Sequence, residues 1–172
     1  MLFEPTIETT FISVSGSPDD LPAGRLTDKH QEILKFWESQ RGSEIAPRRA
    51  AITPWAIPQL VPFLMIWQIQ DSDYVCRLAG TEVEWSFGTP LSGVPLSDIR
   101  CSEHQIVQKE FGAVRDRGLI TFAERTIGWV GKPYLYYRHL LMPLINERSE
   151  IHMLLSLFTF HPLAERRDHA PV

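Results

Sequence analysis

The chain has 172 residues, 44% hydrophobic and 22% charged, with a formal net charge of −4. That is the size of one domain with a proper core and an ordinary composition for a globular protein, and the acidic balance argues against a general binder of nucleic acid or of an acidic membrane. Cys76 and Cys101 are the only cysteines, too few for a disulfide framework and without C-x-x-C spacing, so both read as free thiols. The opening MLFEPTIETT lacks the basic start and apolar run of a signal peptide, and no apolar run is long enough to span a bilayer, which makes the cytoplasm the default.

Residues 1–26 mix polar side chains with Gly16, Pro18, Asp19, Asp20, Pro22 and Gly24 and show no sustained period, which reads as a flexible or surface-laid leader. From Thr27, a suitable N-cap, an amphipathic helix is expected over residues 28–41. Leu26, His30, Ile33, Leu34, Trp37 and Arg41 fall on one face, and Gly42 stops the run. This stripe packs either on the domain's own sheet or on a second copy of the chain, where Leu26, Ile33, Leu34 and Trp37 would meet the partner. Pro47, Pro54, Pro58 and Pro62 then make a stiff connector. Residues 63–69 read as a strand with Phe63, Met65, Trp67 and Ile69 on one face and Leu64 and Ile66 on the other, so both faces are apolar. Asp71, Ser72 and Asp73 turn the chain into a second strand, residues 74–79.

Gly80 breaks that strand, and Thr81 is placed to cap a short helix. Glu82 and Glu84 lie in its first turn, Val83 and Phe87 share a face, Gly88 suits the left-handed end, and Gly93 marks a second turn. After a short turn at residues 95–99, a longer helix is expected from Ser102 to Gly118, with Ile106, Val107, Phe111 and Val114 on one side. Three strands follow, residues 119–127, 134–144 and 150–160, joined by residues 128–133 and 146–149; connections this short favour antiparallel neighbours. In the last strand Ile151, Met153, Leu155 and Leu157 oppose Leu154, Phe158 and Phe160, so it too is apolar on both sides. One face of the sheet falls to the inserted helices and the other to the 28–41 helix or a partner chain. Residues 161–172 read as a charged, loose tail.

Phe36-Trp37 with Arg41-Gly42, Pro47-Arg48-Arg49-Ala50, residues 57–64, Arg77-Leu78-Ala79-Gly80-Thr81, and Phe87-Gly88 with Leu91-Ser92-Gly93 occur in this order across roughly residues 34–160. In that order they resemble PAS domains, and more narrowly the compact, mostly stand-alone bacterial PAS-like family. The resemblance implies a single α+β domain over residues 27–160: a PAS-like five-stranded antiparallel sheet with inserted helices and an N-terminal amphipathic helix. It implies a cavity between sheet and inserted helices, which relatives use for haem, flavin, small metabolites or nothing at all. Cys76, Leu78, Val83, Trp85, Phe87, Ile106, Phe111 and Val114 are expected around it, with His139 as the one titratable addition. That set suits an apolar ligand and equally a filled core.

A flavin photosensor of the superfamily carries an Asn-Cys-Arg-Phe-Leu-Gln run, from which Arg100-Cys101-Ser102-Glu103 departs. A haem sensor takes an axial histidine on the long helix; His104 sits there, but in the first turn beside Glu103 and Gln105, on a face that reads as wet. Haem and flavin are disfavoured and the cofactor is left unknown. His30, His104, His139, His152, His161 and His169 show neither H-E-x-x-H nor tight His/Cys spacing, so no metal site is expected. Acid–base chemistry needs His139 to meet Glu124 or Glu110 in the cavity; Arg138 and His139 are strand neighbours and face opposite sides. No catalytic residue is assigned. Gly80, Gly88 and Gly93 are given to turns, and Arg77 to a salt bridge or carbonyl cluster. The expectation is a non-catalytic sensory or regulatory module, a cytoplasmic homodimer. It binds a small apolar molecule, a protein partner or both, signals through dimer or helix packing, and involves neither nucleic acid nor membrane. Two alternatives stand beside it: a small cone-shaped α+β enzyme or carrier using a cavity His/carboxylate pair, and a structural adaptor with a filled core.

Overall fold

Strands that are apolar on both faces require a cover on each side, and the structure supplies both from this one chain. A computed structural model describes residues 6–99, 101, 103–128 and 135–165. It holds one antiparallel sheet of six strands: β1 (Thr6–Ser15), β2 (Leu64–Gln70), β3 (Asp73–Ala79), β4 (Ile120–Gly128), β5 (Leu135–Ile145) and β6 (Ile151–Pro162). Their order is β1-β4-β5-β6-β2-β3. Helix α1 (Asp28–Arg41) precedes β2, while α2 (Thr81–Phe87) and α3 (His104–Arg117) are inserted between β3 and β4. No helix among the described residues is long and apolar enough to cross a membrane.

The alternation along β2 and β6 divides the core in two. Leu64, Ile66, Leu155 and Leu157 point to α1, whose Ile33, Leu34 and Trp37 are buried against them. Met65, Trp67, Leu154 and Phe158 point to α2 and α3, which contribute Val83, Phe87, Phe111 and Val114. The α1 stripe is therefore taken up by the domain's own sheet. Trp37 also donates its indole N–H to the Pro143 carbonyl at 3.0 Å. Ile33, Leu34 and Trp37, named above as partner-facing, are buried inside one copy, and Leu26 packs partly buried beside them.

Thr27 caps α1 as expected, and the third helical residue completes the box with an imidazole in place of a carboxylate. His30 Nδ1 receives the Thr27 backbone N–H at 3.0 Å, so its proton sits on Nε2 and is donated to the Arg138 carbonyl at 3.2 Å. Burial, together with the nearby Arg138, lowers the His30 pKa from 6.5 to about 3.

The structure departs from the expectations at several points. The sheet has six strands because residues read as a leader supply β1, whose register with β4 runs from Thr6↔Gly128 to Ser15↔Ile120. Its sequence TIETTFISVS is rich in β-branched residues and alternates only at Ile12-Ser13-Val14-Ser15, so it looks merely polar when Ser and Thr are counted as loop residues. Gly80, not Thr81, is the N-cap of α2. Arg77 is exposed and bonds the Gln68 side chain across the hairpin at 2.5 Å, with neither a salt bridge nor a carbonyl cluster among the described residues. The long helix begins at His104. The expected start at Ser102, residues 129–134 between β4 and β5, and residues 166–172 of the tail lie outside the described residues, as does His169.

Two outcomes are expected. A Cβ at Gly80 would stand 2.2 Å from the Pro62 carbonyl oxygen; Gly80→Ala should cost more than about 2 kcal/mol, read as a lower urea midpoint at unchanged slope. His30 is neutral when folded, so between pH 6.5 and about 3 the unfolded chain binds the extra proton and stability falls as the pH falls. His30→Gln should flatten that part of the stability–pH curve.

Candidate functional site

Helix α3 carries a carboxylate within its apolar stripe. Phe111 and Val114 face the sheet, and Glu110, on the same side, is 2% exposed. The group it meets comes from the alternation of β4, which sends Arg125 to the α3 face and Glu124 to the α1 face. Arg125 Nη2 donates to Glu110 Oε2 at 2.5 Å, and its Nε donates to Thr9 Oγ1 on β1 at 3.0 Å. Thr121, also on β4, donates to Glu110 Oε1 at 2.9 Å. The cross-strand partner of Arg125 is Tyr137, and that of Ala123 is His139. His139 Nδ1 lies 3.4 Å from Glu110 Oε1.

The proton on His139 is fixed by the groups that its two nitrogens meet. An indole N–H only donates, so Trp67 Nε1 places its hydrogen on Ser156 Oγ at 3.0 Å. The ionised Glu110 carboxylate only accepts, so the imidazole hydrogen sits on Nδ1 facing it, and Nε2 is left to accept the Ser156 hydroxyl at 2.8 Å. Burial holds the His139 pKa below its ordinary value, against the pull of Glu110. Burial by itself would raise Glu110, but the Arg125 guanidinium and His139 outweigh it and bring its pKa down to about 2. Burial also pushes the Tyr137 phenol up. The resulting network is a guanidinium, a carboxylate, a neutral imidazole and a hydroxyl, each with a partner.

Arg125 and His139 of this network form the floor of a cavity of about 50 Å³, with Glu110 and Ser156 bonded behind them. Met65, Trp67, Phe87, Phe111, Tyr137 and Phe158 give it largely aromatic walls, with Leu91, Leu96, Ile99 and Val107 beside them, and Ile7, Cys101 and His104 are also in the lining. The His139 ring stacks on Phe158, with centroids 4.3 Å apart and planes 13° from parallel. Burial raises both thiols, Cys76 to about 11, so neither is a thiolate at neutral pH. Among the described residues no three His, Cys, Asp or Glu side chains converge as a metal site.

Of the nine cavity residues expected from sequence, Phe87, Phe111 and His139 line it. Cys76, Val83 and Val114 are buried in the surrounding cluster without forming the wall. Leu78 points to the α1 face, where it lines a smaller cleft with Arg49 and Ile57. Trp85 and Ile106 lie outside, 68% and 41% exposed, because the buried faces of their helices run through Val83 and Phe87 and through Phe111 and Val114. Glu110 is the carboxylate that meets His139. Glu124 lies on the α1 face, 2.9 Å from Arg25 and 3.4 Å from Arg138. His104, read as a wet surface group, is half-buried at the cavity wall with Nε2 3.1 Å from the Ser97 carbonyl. Arg125, Tyr137, Ser156 and Trp67 escaped the sequence reading, although an arginine alternating with Ala123 and Ile127 on an otherwise apolar strand face was a readable signal.

A family model described as PAS domain matches residues 27–159. A solved structure presented as "Flavin Analogue Sheds Light on Light-Oxygen-Voltage Domain Mechanism" aligns with 64% of this chain and 84% of its own, at 10% identity and a TM-score of 0.47. No curated protein matches the chain.

Glu110→Gln should cost about 3–5 kcal/mol, because it leaves the Arg125 charge buried with no counter-charge. Glu110→Leu combined with Arg125→Met should cost less than the sum of the single changes, measured by urea unfolding. Since folding lowers the Glu110 pKa, its contribution is complete above the unfolded value and is lost as the pH falls from about 4.5 towards 2. The Glu110→Gln variant should lack that acid-side loss.

Proposed function

The chain belongs to the PAS domain family, and from that premise we propose that it is a sensory module that takes a compact, uncharged ligand between the sheet and α3. PAS domains are in general sensory rather than catalytic and commonly mediate protein interactions. The observation that carries the reading is the cavity itself: aromatic walls over a floor whose polar groups already have partners. Its volume of about 50 Å³ suits a few waters or a small molecule, on a scale of roughly 10–15 Å³ for one water. A charged ligand would enter where Arg125 is already matched by Glu110 and His139 is neutral, and its own charge would go uncompensated. Apolar contact with the walls therefore supplies the affinity.

Catalysis is disfavoured by the same contacts. Ser156, His139 and Glu110 stand in the order of a hydrolytic triad, but Ser156 is fully buried and its oxygen accepts the Trp67 indole proton. Neither nitrogen of His139 is left for a substrate. The signal would be a population shift. Glu110 ties α3 to β4, Glu103 accepts the Thr9 backbone N–H at 2.6 Å, and Ile7 on β1 touches the cavity, so a ligand that moves α3 also moves β1. A protein partner reads the change.

Xenon is a suitable first probe, being apolar, uncharged and compact. Under xenon pressure, the amide and indole NMR signals of Ile7, Trp67, Phe111 and Phe158 should shift in a saturable manner. Ile99→Phe, which narrows the cavity, should weaken the response. Unchanged spectra at the highest pressure would mean a filled core and would remove the ligand reading. Native mass spectrometry of protein purified without denaturation then gives the mass of the natural ligand.

A further inference from the structure

We propose that the open edge of β1 is a self-pairing surface, through which two copies of the chain join their sheets antiparallel. This goes beyond the ligand reading and does not depend on it. The two edges of the sheet are treated differently. The β3 edge is covered by the protein's own chain: Cys76 N–H donates to the Val94 carbonyl at 3.1 Å, Gly93 N–H donates to the Cys76 carbonyl at 2.7 Å, and Val75 bridges to Pro95. On β1, no described strand pairs with the side facing away from β4. Natural sheets blunt such an edge with charge, proline or a covering segment. Residues 9–15, TTFISVS, contain neither a charge nor a proline.

The exposed side chains point to the same occupant. Ile12 and Val14 are 41% and 48% exposed, and both lie on the α3 side of the sheet, opposite Ala123 and Thr121 in the β4 register. The register shift between Thr9 and Phe11 confines the regular ladder near this end to residues 11–15, whose midpoint is Ser13. Antiparallel pairing about a two-fold axis at Ser13 sets Ile12 of one copy against Val14 of the other, and Val14 against Ile12. The two exposed apolar residues then cover each other on one face, as cross-strand pairs do. A foreign strand would have to bring its own matching pair. Charge agrees: each copy carries −4, but none of it lies in the paired segment, so the copies repel only at a distance and added salt should favour association. The α1 stripe is not available for the purpose, being buried in its own core. The paired ladder is five residues a side, 11–15, against roughly 20–30 residues in a standard interface, so the dimer is weak and concentration-dependent.

Sedimentation equilibrium across a wide concentration range tests this. The natural chain should pass from monomer to dimer, more readily at high salt. The double variant Ile12→Lys, Val14→Lys, with its fold confirmed by circular dichroism, should raise the dissociation constant by more than about tenfold. In a Cys101→Ser background, Ser13→Cys should form a disulfide-linked dimer on mild oxidation, since the axis brings residue 13 of both copies together. The proposal is overturned if the natural chain stays monomeric at every concentration, or if it dimerises and neither the two lysines weaken the dimer nor the Ser13→Cys variant cross-links.

Discussion

A buried ion pair fixes where the inserted helix sits on the sheet. Glu110 on α3 and Arg125 on β4 are 2% and 1% exposed and 2.5 Å apart. A buried pair of this kind adds little net stability over an apolar replacement, yet the loss of one member is severe, so its main effect is to exclude other arrangements. Sliding α3 along the sheet by one turn would strand both charges. The pair therefore sets the position of α3, and with it the height of the cavity beneath Phe111 and the approach of Glu110 to His139.

The rest follows from the alternation of side chains along strands. Neighbouring residues Glu124 and Arg125, and Arg138 and His139, send one member to each face, which places an ionic cluster on both sides of the sheet. On the α1 side Glu124 gathers Arg25 and Arg138, and Arg25 also lies over the Phe11 ring, so the segment entering α1 is fastened to β1 and β4. On the α3 side the cluster of Glu110, Arg125 and His139 is buried and satisfied through Thr121, Ser156 and Trp67. The first is built to hold a helix and a connecting segment, the second to floor a cavity. Strand β1 belongs to both, through Phe11 on one face and Ile7 and Thr9 on the other.

Much of this was readable in the residues. The 28–41 helix, its Thr27 cap and the Gly42 stop were explicit in the sequence, as were the left-handed end at Gly88, the turn at Gly93 and the helix end at Gly118. The doubly apolar strands correctly required a cover on each side. Whether α1 or another chain supplied the second cover was not readable, because a buried stripe looks the same against either. Strand β1 stayed hidden because its Thr and Ser residues resemble a polar loop until a partner strand is present. Trp85 and Ile106 were misplaced by counting apolar residues without their angle on the helix. The contact of His139 with Glu110 was anticipated only as one of two options. The choice depends on which face of β4 carries Arg125, and that is set by strand register, a long-range property.

The central claim is that the polar floor of the cavity is closed upon itself and therefore supports recognition and not reaction. The protonation state of His139 reports on this most directly, through the imidazole nitrogen signals in ¹⁵N NMR. The account predicts one neutral form, with the hydrogen on Nδ1, persisting below pH 6.5 while the protein stays folded. A His139 that titrates near the ordinary histidine value, or carries its hydrogen on Nε2, would contradict it.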